Sequence, residues 1–326
     1  MELKLSSSIE AMGTSPERDN PDGYWDEMGV DERLEILSKI EGINGLFTFY
    51  PSATLPSDPV KMLKKLDEYN LKPAQMYVDS NSNRKWKNGA FSTTEKNIRR
   101  ECIKLYKEAI DFAKEIHADS VLMWPGMDGL DYPFMADPGE AWKYLVDTIR
   151  EICEYNSNVK IAIEPKKDAP RQRMYLSDIG KLMMLLNEIG LNNAGGVLDV
   201  GHVIISQGGM AEALTILHSH QKLFAIHLDD NYRNADPDMI AGGVHFWEFL
   251  ELFYYLNKTD FNGYCDLYLE SPRDDRVKSL TLSARLALKF KELADTLTEN
   301  SDEIDSNLNN YRFVENVELI SELVFK

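Results

Sequence analysis

The 326-residue chain is short of cysteine, of positive charge and of long apolar runs, and each shortage excludes something. Cys102, Cys153 and Cys265 are scattered, with neither metal-ligand nor disulfide spacing, which predicts a protein kept in a reducing cytoplasm. Lys and Arg total 36 against 54 Asp and Glu, a formal charge of −18. Such a surface repels phosphate backbones and anionic lipid, so neither nucleic acid nor a membrane surface is an expected partner. The apolar runs, of which residues 121–124 are typical, are far too short to span a bilayer. Met1-Glu2-Leu3-Lys4 lacks the charged-then-apolar pattern of a secretory leader. No G-x-G-x-x-G turn follows any strand-like run, and no internal repeat of solenoid length is visible. What remains is 43% hydrophobic and 28% charged, enough to build a sizeable globular core.

Short β-rich runs alternate with segments of helical period. Strands are expected at 3–8, 45–50, 74–78, 120–124, 161–164, 196–200, 223–228 and 265–270. Helices are expected near 31–40, 59–69, 94–117, 139–155, 175–189, 210–220, 245–256 and 275–297. In the third helix Ile98, Cys102, Leu105, Ala109, Ile110, Ala113 and Ile116 fall on one face. Eight such pairs over this length predict an α/β fold of the closed (β/α)₈ type spanning residues 1–298. Residues 299–326 start polar and end apolar, through Phe313, Val317, Leu319, Ile320, Leu323, Val324 and Phe325. They read as a helical tail, either packed back on the barrel or reaching over a neighbouring subunit as an oligomerisation arm.

In such a barrel the strand C-termini converge on one mouth, where chemistry sits. The expected last residues of the fifth to eighth strands are Glu164, Asp199, His227 and Glu270. Like charges crowded in a cleft are costly unless a cation neutralises them, and three carboxylates with an imidazole suit a divalent ion. His202 lies three residues beyond Asp199, and Asp236-Pro237-Asp238 follows the seventh strand. Together these provide ligands for a second cation. Lys166 is placed to polarise a substrate oxygen, and Trp124, ahead of Pro125-Gly126-Met127-Asp128-Gly129, to wall a pocket.

From about Lys72 to Arg273 the chain resembles the aldose–ketose isomerases of the xylose isomerase type, including the rhamnose isomerase branch. The resemblance is carried by Trp86-Lys87-Asn88-Gly89-Ala90-Phe91-Ser92, Trp124-Pro125-Gly126-Met127-Asp128-Gly129 and Glu164-Pro165-Lys166, and by His227-Leu228-Asp229-Asp230-Asn231 and Asp236-Pro237-Asp238. It implies a TIM barrel and two divalent cations per subunit, Mn²⁺, Mg²⁺ or Co²⁺, with Zn²⁺ also suited. One cation would sit on Glu164, Asp199, His227 and Glu270, the other on Asp199, His202, Asp236 and Asp238. Lys166, Glu164 and Glu270 would be catalytic, with Trp86, Trp124, His202 and Arg273 binding a small sugar. A homodimer or homotetramer is also implied.

Two departures stand out. The family's second strand ends in a histidine associated with opening the sugar ring; here it reads Phe47-Thr48-Phe49-Tyr50-Pro51, leaving Tyr50 as the substitute. Glu270 replaces the usual Asp and is typical of the related ketose 3-epimerases. A two-metal isomerase that transfers hydrogen between C1 and C2 is therefore expected first. The alternative is a 3-epimerase or related dehydratase using Glu164 and Glu270 as acid and base. An endonuclease of this barrel type is disfavoured by the charge, and a non-catalytic sugar-binding barrel by the complete ligand set.

Overall fold

The structure, a computed structural model, describes residues 3–270 and 273–325. Eight parallel strands close into a barrel in strict sequence order. They are β1 (Leu5–Ser8), β2 (Ile43–Tyr50), β3 (Lys72–Val78), β4 (Ser120–Met123), β5 (Ile161–Ile163), β6 (Ala194–Asp199), β7 (Leu223–His227) and β8 (Cys265–Asp266). β1 pairs with both β2 and β8, which completes the circle. Around it run α1 (Val30–Lys39), α2 (Pro59–Asp67), α3 (Lys96–Ile116), α4 (Pro138–Tyr155), α5 (Ile179–Ile189), α6 (Val200–Ile205), α7 (Met210–Ser219), α8 (Phe246–Leu256) and α9 (Arg276–Glu299).

Local chemistry sets the helix ends. The Asp58 side chain accepts from Lys61 N at 2.9 Å, with Pro59 in the first turn, where its missing N–H is not needed. Asp137 and Pro138 open α4 in the same way. Gly190 ends α5 in the left-handed region, φ 70°, where a side chain would be strained. The strands are buried on both faces, as parallel barrel strands must be. One apolar layer lies between strands and helices, and a plug of Phe47, Leu122, Ala162, Val197, Phe224 and Ala225 fills the interior. All three cysteines are buried and free.

Three features differ from expectation. The β8 ladder stops at Asp266, and beyond it Glu270 N donates to Asp238 O at 3.0 Å, so this backbone leaves its neighbouring strand for a loop. The turn after β6 is a short helix, α6, because the Asp199 side chain caps it by accepting from His202 N at 2.7 Å. An antiparallel pair, Gly129–Leu130 with Arg173–Met174, joins the loops after β4 and β5. The tail folds into α10 (Ser301–Asn309) and α11 (Phe313–Val324) and packs back on its own barrel. Leu319, Ile320, Leu323 and Val324 lean on the core, and Asn316 Nδ2 donates to Ile304 O at 3.3 Å. Tyr311, Phe313 and Val314 stay exposed. Among the described residues no helix is long and apolar enough to cross a membrane.

Candidate metal centre at the barrel mouth

Glu164 directly follows β5, its N–H donating to Met123 O at 2.9 Å as the ladder would. Asp199 and His227 end β6 and β7 and face each other in register. These three side chains bring one ligand atom each within 4.8 Å of one another, and all three are buried. His227 Nδ1 lies 3.8 Å from Glu164 Oε1 and 3.5 Å from Asp199 Oδ2.

A second group adjoins the first: Asp229, Asp236 and Asp238, again within 4.8 Å of one another. The segment after β7 folds back because Asp230 and Met239 exchange backbone hydrogen bonds of 3.1 and 3.0 Å. The Asp230 carboxylate then secures the loop's far end, accepting from Val244 N, His245 N and the His245 ring. Asp229 arrives two residues after His227, on the same side of an extended chain. Its Oδ1 accepts from Gly201 N at 3.2 Å, and a Cβ at position 201 would lie 1.9 Å from Oδ2. Gly201 is needed for that approach.

His202 and Lys166 join the groups. His202 Nδ1 is 3.1 Å from Glu164 Oε1, and Nε2 is 2.9 Å from Asp236 Oδ2. Lys166 Nζ is 2.8 Å from the same Asp236 oxygen and 5.3 Å from the centre of the Trp124 ring.

The electrostatics are those of an acidic cluster seeking cations. Burial works against the Asp199 carboxylate, yet His202 and His227 outweigh it and hold its pKa below the usual range. Burial likewise opposes both imidazolium forms, and the surrounding carboxylates still raise both histidines. Asp229 and Asp238 are pushed well up, by burial first and then by their acidic neighbours. For Lys166, burial is outweighed by Asp236, and its pKa rises. Asp229 Oδ2 is buried without a hydrogen-bond partner. An orphaned carboxylate oxygen inside an oxygen-rich group fits a divalent cation, since a buried lone charge is costly. The residues fit metal.

Above these groups lies a cavity of about 270 Å³, walled by Phe47, Phe49, Tyr77, Trp124 and Tyr268. Phe47 packs edge-on to Phe49, to Tyr268 and to the His227 ring at 5.5, 6.1 and 5.9 Å.

Glu164, Lys166, Asp199, His202, His227, Asp236, Asp238 and Trp124 all line this cavity. Glu270 does not: its side chain is exposed on the loop after β8, although its charge bears on Asp238 and Tyr268. Trp86 does not line it either. Its short helical turn sends the ring into the core, 1% exposed, beneath a loop whose Ala90, Phe91 and Ser92 N–H groups all donate to buried Asp128. Arg273 is exposed and outside the cavity lining. Tyr50 packs on Phe112 of α3 at 5.5 Å, so it cannot stand in for the strand-two histidine at the mouth. Sequence reasoning missed Asp229, Tyr268 and Phe49 as site groups; two-residue periodicity from His227, Asp266 and Phe47 is the signal that finds them.

The family described as "Xylose isomerase-like TIM barrel" matches residues 40–295. The xylose isomerase of Thermus thermophilus is 22% identical over 224 residues, covering 66% of this chain and 57% of that protein. The match thus spans less than three fifths of that relative's length. Among solved structures, an L-ribulose 3-epimerase superimposes with a TM-score of 0.72 at 12% identity, over 92% of this chain and 98% of that one. IOLI protein with a bound zinc atom superimposes at 0.64 and 17% identity, over 90% and 98%.

Proposed function

This chain belongs to the xylose isomerase-like TIM barrel family, and from that premise we propose that it is a divalent-metal-dependent sugar isomerase. The reaction we assign is interconversion of an aldose and a ketose by hydrogen transfer between C1 and C2. The observation that carries it is the pair of adjoining ligand groups, Glu164/Asp199/His227 and Asp229/Asp236/Asp238, all but Asp229 lining one small cavity. Two divalent cations held there, of the Mn²⁺, Mg²⁺ or Co²⁺ kind, supply Lewis-acid polarisation of neighbouring sugar oxygens.

The chain's own groups do the rest. The Lys166 ammonium donates to the substrate oxygen on which negative charge grows, a contact strengthened in the transition state. Trp124 lines the cavity with its indole, which excludes water, while its Nε1 is buried without a hydrogen-bond partner among the described residues. His202 holds Asp236 and Glu164 apart and in place. Lys166 is the lone Lys or Arg among the described residues lining the cavity, so apart from the proposed cations there is no cluster of basic side chains to select a phosphate. The assigned substrate is a neutral, open-chain monosaccharide.

One observation favours a second reading. Asp236 is already neutralised by His202 and Lys166, at 2.9 and 2.8 Å, so the protein can balance that acid without a second cation. A single-metal 3-epimerase would then use Glu164 and Glu270 as acid and base, and Glu270, exposed outside the cavity here, would have to turn inward to serve. A panel of aldoses and ketoses, assayed with Mn²⁺ in deuterated water, separates the two. C1–C2 interconversion with the substrate hydrogen retained supports the isomerase; inversion at C3 with solvent deuterium incorporated replaces it.

A further inference from the structure

Below the ligand groups, the barrel interior contains a polar side chain that the mouth itself does not explain. Gln75, in β3, is 1% exposed, and its Oε1 lies 2.9 Å from His227 Nε2. The contact crosses the barrel, since β3 and β7 are not neighbours in the sheet. A glutamine in the core is costly unless its groups are used; its Nε2 is buried without a partner among the described residues, and the use visible here is that of Oε1.

The imidazole has two nitrogens with different duties. Nδ1 faces Glu164 Oε1 and Asp199 Oδ2, and is the nitrogen that a cation between those carboxylates would meet. To offer a lone pair there, a neutral ring must carry its hydrogen on Nε2, and that hydrogen needs an acceptor. The amide oxygen of Gln75 is the acceptor within reach. The ring is also gripped by Tyr268, stacked at 6.4 Å, and by the edge of Phe47. Neither contact distinguishes one nitrogen from the other; only a hydrogen bond does that.

We propose that Gln75 is a positioning residue: it holds His227 in the Nε2–H form with Nδ1 turned to the cation, and so sets divalent-metal affinity. The inference rests on the metal-dependent reading above. Gln75→Met keeps the length and removes the acceptor; Gln75→Glu keeps an acceptor. Titration of the apo full-length chain with Mn²⁺ should show Gln75→Met weakened by roughly 10–100-fold, the usual effect of losing such a support. Gln75→Glu should stay within a few-fold of wild type. Nitrogen-15 spectra of the Zn²⁺-loaded wild type should place the His227 hydrogen on Nε2. Equal Mn²⁺ affinity for wild type and Gln75→Met overturns this inference alone, as does a hydrogen found on Nδ1 even if Gln75→Met fails to fold. A wild type that binds no Mn²⁺ overturns the metal-dependent reading and this inference together.

Discussion

Two of the hollows among the described residues are opposites. The mouth cavity is about 270 Å³ and crowds buried carboxylates, two imidazoles and an ammonium around one point. The groove between α8 and the tail helices is larger, about 630 Å³, and is built from Trp247, Tyr254, Tyr255, Ile304, Phe313 and Ile320. In the groove, apolar contact does most of the ordering, with a few hydrogen bonds such as Tyr254 Oη to Asp305 beside it. In the mouth, several groups sit at pKa values displaced by their neighbours, a state that folding by itself would avoid. Volume does not locate chemistry here; the concentration of buried charge does.

Changes in the mouth should leave the fold intact and abolish activity. Replacing Asp236 and Asp238 together by Asn removes two charged oxygens from the second group. Turnover is expected to fall by orders of magnitude while Glu164, Asp199 and His227 still bind one Mn²⁺. Near-normal turnover with one metal bound would favour the epimerase reading instead. Lys166→Met should lower kcat by roughly two to three decades, as for other lost oxyanion donors. If only KM changes, the lysine anchors substrate and its proposed role fails.

A cation should also act on stability through the mouth. At about a hundred times its Kd, Mn²⁺ should stabilise the native state by about 2.7 kcal/mol. Thermal melts with Mn²⁺ and with a chelator measure this, and melting indifferent to both would remove the metal from the account.

The tail should behave in the reverse sense. Ile304 is 2% exposed, and Ile304→Ala should cost about 2–4 kcal/mol by denaturant unfolding with kcat unchanged. A loss of activity at constant fold would couple the two hollows.

The smallest effect concerns pH. Asp305 of α10 accepts from Tyr254 Oη at 2.8 Å and Lys258 Nζ at 2.6 Å. Slight burial opposes its ionisation, but these donors outweigh it and lower its pKa. A lowered carboxyl adds stability above the ordinary carboxylate pKa and loses it as pH falls through the native value. The pair is partly solvated, so the contribution is under about 1 kcal/mol. Wild type should out-melt Asp305→Asn near neutrality, and the gap should shrink in acid; a gap constant with pH would assign it to packing.

The two regions were unequally legible in the sequence. Barrel strands announce themselves by short β-branched runs between helical periods, and Glu164, Asp199 and His227 were readable because a parallel barrel sends every strand end to one mouth. The tail's apolar spacing was equally plain, but whether it packed on its own barrel or on another subunit was not, since either surface satisfies the same pattern. Asp229 was in view within the His227–Asn231 motif and was passed over because strand-end position was counted without alternation. Trp86 was expected in the pocket from the family resemblance of its motif, and a single helical turn moved the ring into the core.

Sequence alone determined the class of architecture, the acidic character of the surface and the donor types at the strand ends. These follow from periodicity and composition, which are local properties. Tertiary structure alone decided the rest. It separated the acids into two groups, oriented His227 by a glutamine on a non-adjacent strand and left Glu270 outside the cavity. It also required glycine at position 201, where the carboxylate of Asp229, just beyond β7, leaves no room for a Cβ. Each of these depends on distances between residues far apart in the chain, set by barrel closure and by where each loop folds back.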